Sequence, residues 1–294
     1  MNKPGLRWVL LGLGGLAAVV AIGLAGLFAA SEAILDRSYA FSPVTLTPGP
    51  GGSDVNAGAG LARVFGCDDC HGADLRGRLL ADIPMLARIG TPNLTLLAKT
   101  YSDAQLALAI RSGVRPDGRA MLGMPSAVDS RLTDQEVASV IAYLRAKPAG
   151  GEAGEGVRLG LLGRLVLVTG KVQTEPQRVA AALARPLPGY GPRTAPGRAL
   201  ARPCAECHGP DLTGDIGPDL RVATAYDIPA FARLLRTGIG LDGKPVKPVG
   251  LPEEKGKSLG VMAEVSPRRF GGLSDSDIVA LRDYLGARRD HLKN

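Results

Sequence analysis

The side chains best equipped for chemistry in this sequence are its four cysteines and two of its three histidines. They fall as Cys67-Asp-Asp-Cys70-His71 and Cys204-Ala-Glu-Cys207-His208. Two thiols three positions apart with a histidine directly after the second make the C-x-x-C-H pattern of c-type haem attachment, in which each thiol adds to a vinyl group and the histidine reaches the iron as proximal ligand. A zinc site would need four thiolates, or two with two histidines, to converge. A thioredoxin-like pair needs no histidine after its second cysteine. Neither explains the pentapeptide twice, and no cysteine is left for the disulfides that an exported chain would otherwise favour.

A methionine thioether as sixth ligand raises a haem's potential and leaves no open coordination position, so methionines are the next residues to weigh. Beyond Met1 the chain has Met85, Met121, Met124 and Met262. Met262 alone lies in the second half, and it follows His208 at nearly the distance at which Met124 follows His71. The iron ligands expected are His71 and His208, with Met124 preferred to the alternative Met121 in the first half and Met262 preferred to the alternative His291 in the second. Met85 comes too early, and it and Met121 are expected to fill gaps in the core, as most methionines do. His291, the remaining histidine, sits in a charged tail and is expected to be exposed.

Self-similarity runs well past the pentapeptide. Cys-His-Gly-Ala-Asp-Leu-Arg-Gly ending at Gly77 matches Cys-His-Gly-Pro-Asp-Leu-Thr-Gly ending at Gly214, Pro92-Asn93-Leu94 matches Pro218-Asp219-Leu220, and Tyr143-Leu144 matches Tyr284-Leu285. Helix signals repeat too. Ser102 with Gln105 and Thr133 with Glu136 read as capping boxes, and Gly113 and Gly238 stand where left-handed C-caps would end a helix. Val137, Val140, Ile141 and Leu144 form an amphipathic stripe that Ile278, Leu281 and Leu285 echo.

The order helix, C-x-x-C-H, Pro-x-Leu, helix, Met, final helix resembles class I cytochrome c. In tandem and behind a membrane segment it is similar to the diheme cytochromes and cytochrome subunits of respiratory chains and membrane-bound dehydrogenases. Met124 before Pro125 resembles the Met-Pro of that family. The resemblance implies an all-α fold of two tandem class I cytochrome c domains, two covalently bound haem c groups, and proximal His rings that donate to the carbonyls of Pro92 and Pro218. It further implies an electron carrier rather than an enzyme, taking single electrons from a dehydrogenase or quinol-oxidising complex to a terminal acceptor. The alternative is a haem enzyme, such as a diheme peroxidase or a thiosulfate-oxidising cytochrome, with one reactive haem.

A length of 294 residues suits two such units plus connecting material. Aromatics are only 4%, thin for two cores unless a large flat cofactor fills them. The net charge of +7 resides mostly in the stretch between two near-neutral units, so no concentrated basic face for nucleic acid is expected. Trp8 to Ala30 is uncharged and mostly apolar, long enough for a bilayer core, with Lys3 and Arg7 before it and Glu32 and Asp36 after. Residues 1–33 are thus expected as a membrane anchor, or alternatively a cleaved signal peptide, which places the rest on the periplasmic face of the cytoplasmic membrane. Residues 34–53 read as a flexible tether, 54–148 as domain 1, 149–194 as a connector, and 195–294 as domain 2. Val157 to Val172 is expected to pack between the domains, with contact at the membrane surface as the alternative. An insertion carrying Lys244, Lys247, Lys255 and Lys257 could steer an acidic redox partner. Partners are expected to be redox proteins, a larger membrane oxidoreductase complex among them, with the membrane met through the N-terminal helix.

Overall fold

The computed structural model describes residues 4–39, 45–49, 51–246 and 261–293. The first helix, α1 (Pro4–Leu35), is apolar on every side and exposed along the length of its apolar stretch. Domain 1 begins with α2 (Val55–Val64), whose first turn is capped by Asp54 accepting from the Asn56 and Ala57 amides. Then come α3 (Cys67–His71), strands β1 (Leu79–Ile83) and β2 (Ala87–Gly90), and helices α4 (Leu94–Thr100), α5 (Asp103–Ser112), α6 (Ser126–Asp129) and α7 (Asp134–Ala146). Both expected capping boxes form, at the starts of α5 and α7, and Gly113 ends α5 with φ 63°. The connector supplies β3 (Val157–Leu159), α8 (Leu161–Val168) and α9 (Glu175–Leu183). Domain 2 has α10 (Ala195–Leu200), α11 (Ala205–His208), α12 (Ile228–Thr237), α13 (Val261–Phe270) and α14 (Asp275–His291).

Each half is closed by a crossing of its first and last long helices, and a glycine permits the approach in both. A Cβ on Gly58 of α2 would lie 2.0 Å from the Ser139 carbonyl oxygen of α7, and one on Gly197 of α10 would lie 1.9 Å from that of Ala280 in α14. Around these crossings the predicted stripes are buried: Val137, Val140, Ile141 and Leu144 in α7, and Ile278, Leu281 and Leu285 in α14. Removing such side chains from water contributes roughly 1.5–3 kcal/mol each, which outweighs the weak propensity of these short helices. The two cores are continuous. Phe65, Val128 and Leu132 share one buried cluster with Ala201, Leu212 and Phe270.

Three expectations need correction. The fold is mostly helical but not all-α, because β1, β2 and β3 form an antiparallel sheet in that order. Its hairpin turn carries Met85, which is 60% exposed with φ 61° and therefore fills no core gap, whereas Met121 is half-buried. The connector stretch Val157–Val172 does not lie between the domains: β3 extends the hairpin of domain 1, and α8 packs on α1 through Arg164, which bonds Ser31 and Glu32 at 2.6 Å each. The described part of the tether lies along domain 1, where Asp36 pairs with Arg119 at 2.9 Å and the Thr47 amide donates to Asp134 at 3.0 Å. His291 is exposed as expected, yet it closes α14 and its ring stands 5.3 Å from that of Tyr190. Of the lysine insertion, Lys247, Lys255 and Lys257 lie outside the described residues.

Candidate haem sites

The five residues of α3 put Cys67, Cys70 and His71 on one face, since positions three and four apart are neighbours on a helix. Gly66 (φ 77°) and Gly72 (φ 84°) bound the turn in conformations that other residues adopt only with strain. The His71 ring donates through Nδ1 to the Pro92 carbonyl at 2.8 Å, which fixes the ring plane and leaves Nε2 as the free, unprotonated nitrogen. Below it, the Gly77 amide donates to the His71 carbonyl at 2.8 Å. A Cβ on Gly77 would meet the Thr91 carbonyl oxygen at 2.3 Å. Asn93, fully buried, anchors the Pro92 segment by donating to the Gly150 and Glu152 carbonyls at 2.8 and 2.9 Å.

The second half of the chain repeats this hydrogen-bond arrangement around His208. His208 Nδ1 donates to the Pro218 carbonyl at 2.6 Å, and the Gly214 amide to the His208 carbonyl at 2.9 Å. Leu75 and Leu212 both sit at positive φ, 61° and 64°, and each carbonyl or amide meets the equivalent partner: Leu94 N–H to Leu75, and Leu220 N–H to Leu212. Where domain 1 uses Asn93, domain 2 uses Asp219 paired at 3.0 Å with the buried Arg288. A Cβ on Gly217 would lie 2.8 Å from the His208 ring, so only glycine lets the imidazole rest there.

Met124 and Met262 are both half-buried and pack against the same core as Cys67 and Cys204. Met124 lies in a loop leaving Gly113, held by the Met121 amide on the Gly113 carbonyl at 2.7 Å and by Ser126 Oγ on the Ala109 carbonyl at 3.2 Å. Met262 stands in the first turn of α13, which Ser266 Oγ ties to the Leu234 and Leu235 carbonyls at 3.0 Å each. The connector reaches the Met124 loop as well. Glu175, wholly buried, opens α9 and donates its amide to the Met121 carbonyl at 3.0 Å.

The donor set suits haem c and not the rival chemistries. Burial, aided by Asp129 and Asp68, pushes the Cys67 thiol far up, and burial followed by the neighbouring Cys207 pushes Cys204 up to about 12. Thiols that resist ionisation make poor zinc ligands and poor redox nucleophiles. Burial also lowers both histidines, against the opposing pull of the proline carbonyls, which favours the neutral imidazole that iron requires. Among the described residues no cluster of three or more His, Cys, Asp or Glu is placed to hold a metal ion by itself.

One feature escaped the reading of the sequence. Arg269 of α13, 8% exposed, donates Nε to Asp69 at 2.6 Å and Nη1 to Glu206 at 2.5 Å. Those two acids occupy the same place, directly before the second cysteine, in the two C-x-x-C-H motifs. That coincidence was visible in the sequence, but its shared partner was not. Arg202 adds a second tie between the halves, reaching the Arg131 carbonyl at 2.8 Å and the Glu136 carboxylate.

Residues 55–147 match the family model Cytochrome c, which supports a c-type cytochrome that works in electron transfer. No curated protein matches the chain.

Proposed function

We propose that the chain is a diheme c-type cytochrome of the class I kind, anchored by α1, that carries single electrons between redox partners on the outer face of the cytoplasmic membrane. The observation that carries this reading is the repeated set of C-x-x-C-H, histidine Nδ1 on a proline carbonyl, and a half-buried methionine on the core, present in both halves. When bound, haem iron supplies a reversible one-electron couple. Cys67 with Cys70, and Cys204 with Cys207, would hold the two haems as thioethers. His71 and His208 would present Nε2 to iron, and Met124 and Met262 would supply thioether sulfurs that exclude small molecules and raise the potential. None of these residues needs to move a proton or attack a substrate, which favours a carrier over a haem enzyme.

Membrane attachment is supported by the apolar stretch from Trp8 to Ala30 of the candidate span, preceded by Lys3 and Arg7 and followed by Glu32 and Asp36. Electrons would enter from a dehydrogenase or quinol-oxidising complex and leave to a terminal acceptor. Arg269 bonds an acid of each attachment motif, which supports two haem sites held side by side rather than on independent domains. An optical titration of the haem-loaded protein tests the carrier reading: both haems should show the methionine-sulfur to iron band when oxidised and neither should bind carbon monoxide when reduced. Carbon monoxide binding at one haem would move that site to the enzyme class.

A further inference from the structure

We propose that the exposed aliphatic face of α8, together with the turn of the β1–β2 hairpin, lies in the headgroup layer of the bilayer that α1 spans, a second and peripheral membrane contact. The proposal rests on reading α1 as a membrane span.

Its first support is depth. A bilayer core of about 30 Å takes about 20 helical residues, so a span that begins at Trp8 ends close to Phe28. Arg164 of α8 is fixed at that level: its guanidinium lies 4.4 Å from the Phe28 ring centroid and bonds Ser31 and Glu32. With its side chain only 15% exposed, Arg164 is a structural tie and not a loose surface cation. Any membrane that accepts α1 therefore meets α8 at its outer boundary.

The second support is the face that α8 leaves open. Gly163 and Leu167 are buried toward the protein, Gly163 so closely that a Cβ would strike the Leu86 carbonyl oxygen at 2.1 Å. Leu162, Leu165 and Val168, spaced along the other side, are 46%, 48% and 37% exposed, and Val172 beyond the helix is 44% exposed. Beside them the hairpin presents Ile83 and Met85, 45% and 60% exposed. The Leu162 amide donates to the Met85 carbonyl at 2.9 Å, so hairpin and helix form one surface. A contiguous aliphatic face of this kind marks an interaction site, and lipid is the occupant that its place beside the apolar span selects. The exposed Lys171 follows the stripe, where a lysine can lay its stem on the apolar layer and reach a phosphate.

The test uses the full haem-loaded chain in phospholipid nanodiscs, with a nitroxide placed by Leu165→Cys, Leu16→Cys or Leu241→Cys in turn, and the labelled parent chain as blank. Collisions with oxygen and with a water-soluble nickel chelate are compared. Leu165 should resemble Leu16, with an oxygen-to-nickel ratio several-fold above that at Leu241, which is exposed on domain 2. A Leu165 ratio equal to that of Leu241, while Leu16 reads lipid, overturns the proposal and spares the span. Exclusion of both reagents from Leu165 would mean that protein covers the face, and also overturns it. A Leu16 label that reads water removes the span and the proposal together.

Discussion

Arg269 and Asp69 are joined at 2.6 Å across the boundary between the two halves of the chain, and the same guanidinium holds Glu206 of the other attachment motif. Burial disfavours the Arg269 charge, but hydrogen bonds and the field of Glu206 and Asp69 outweigh it and hold the guanidinium firmly protonated. Removing one partner of a buried ion pair leaves the others charged and unpaired, which costs about 3–5 kcal/mol. Arg269→Leu should lower stability by that order and split a single unfolding transition into two. Arg268→Ala, which removes an exposed arginine 3.4 Å from the same Asp69, should cost about 1 kcal/mol or less. Denaturant unfolding of the three proteins decides; equal losses would show that the position of Arg269 confers nothing special.

The glycine crossings predict matched defects in the two halves. Gly58→Ala and Gly197→Ala each force a helix pair apart, since the added carbon would lie about 2 Å from a backbone oxygen. Overpacking of this kind costs about 1–3 kcal/mol. Because the two cores are continuous, either change should shift the midpoint of one common transition, readable by circular dichroism. A Gly60→Ala variant, whose added carbon meets nothing, should stabilise slightly instead.

Glu175 gives a pH dependence. Burial raises its carboxyl, against the pull of Arg178, so the neutral form is favoured in the folded chain more than in the unfolded one. A raised folded value means that its contribution is fully present below the ordinary glutamate value of about 4.3 and is lost as pH rises through the folded value. The neutral isostere Glu175→Gln lacks that loss. Its stability relative to the parent should therefore grow as pH climbs from about 4.3 and then level off. Unfolding free energies of both proteins across that range supply the check, and a gap that stays constant with pH would refute the assignment.

Replacing a sixth ligand should open one haem at a time. Met124→Ala and Met262→Ala should each remove half of the sulfur to iron band, allow one carbon monoxide per chain to bind, and lower the potential of a single haem. Spectra of the reduced variants with carbon monoxide measure this directly. Identical behaviour of a Met121→Ala variant would move the domain 1 ligand from Met124 to Met121.

Much of the site could be read from residue order because the chemistry is local. A C-x-x-C-H pentapeptide needs only one turn of helix to aim two thiols and a ring, and capping boxes and left-handed glycines act within four residues, so α5 begins and ends, and α7 begins, where the sequence marks them. The rest depended on contacts distant along the chain. Val157–Leu159 pairs with β2 only because the hairpin offers an edge, and α8 finds α1 through Arg164 more than a hundred residues later. Arg269 gave no signal by itself, being one arginine beside another, and its meaning comes from the two acids that the fold brings to it. Gly58 and Gly197 were likewise ordinary glycines until the helix crossings placed a carbonyl against each.

The central claim is that each half carries its own covalent haem. Mass spectrometry of the purified chain under denaturing conditions tests it most directly, alongside Cys67→Ser/Cys70→Ser and Cys204→Ser/Cys207→Ser variants. The account predicts the polypeptide mass plus two haems for the parent and plus one for each variant. A parent chain with one haem, lost entirely in one variant and untouched in the other, would contradict it.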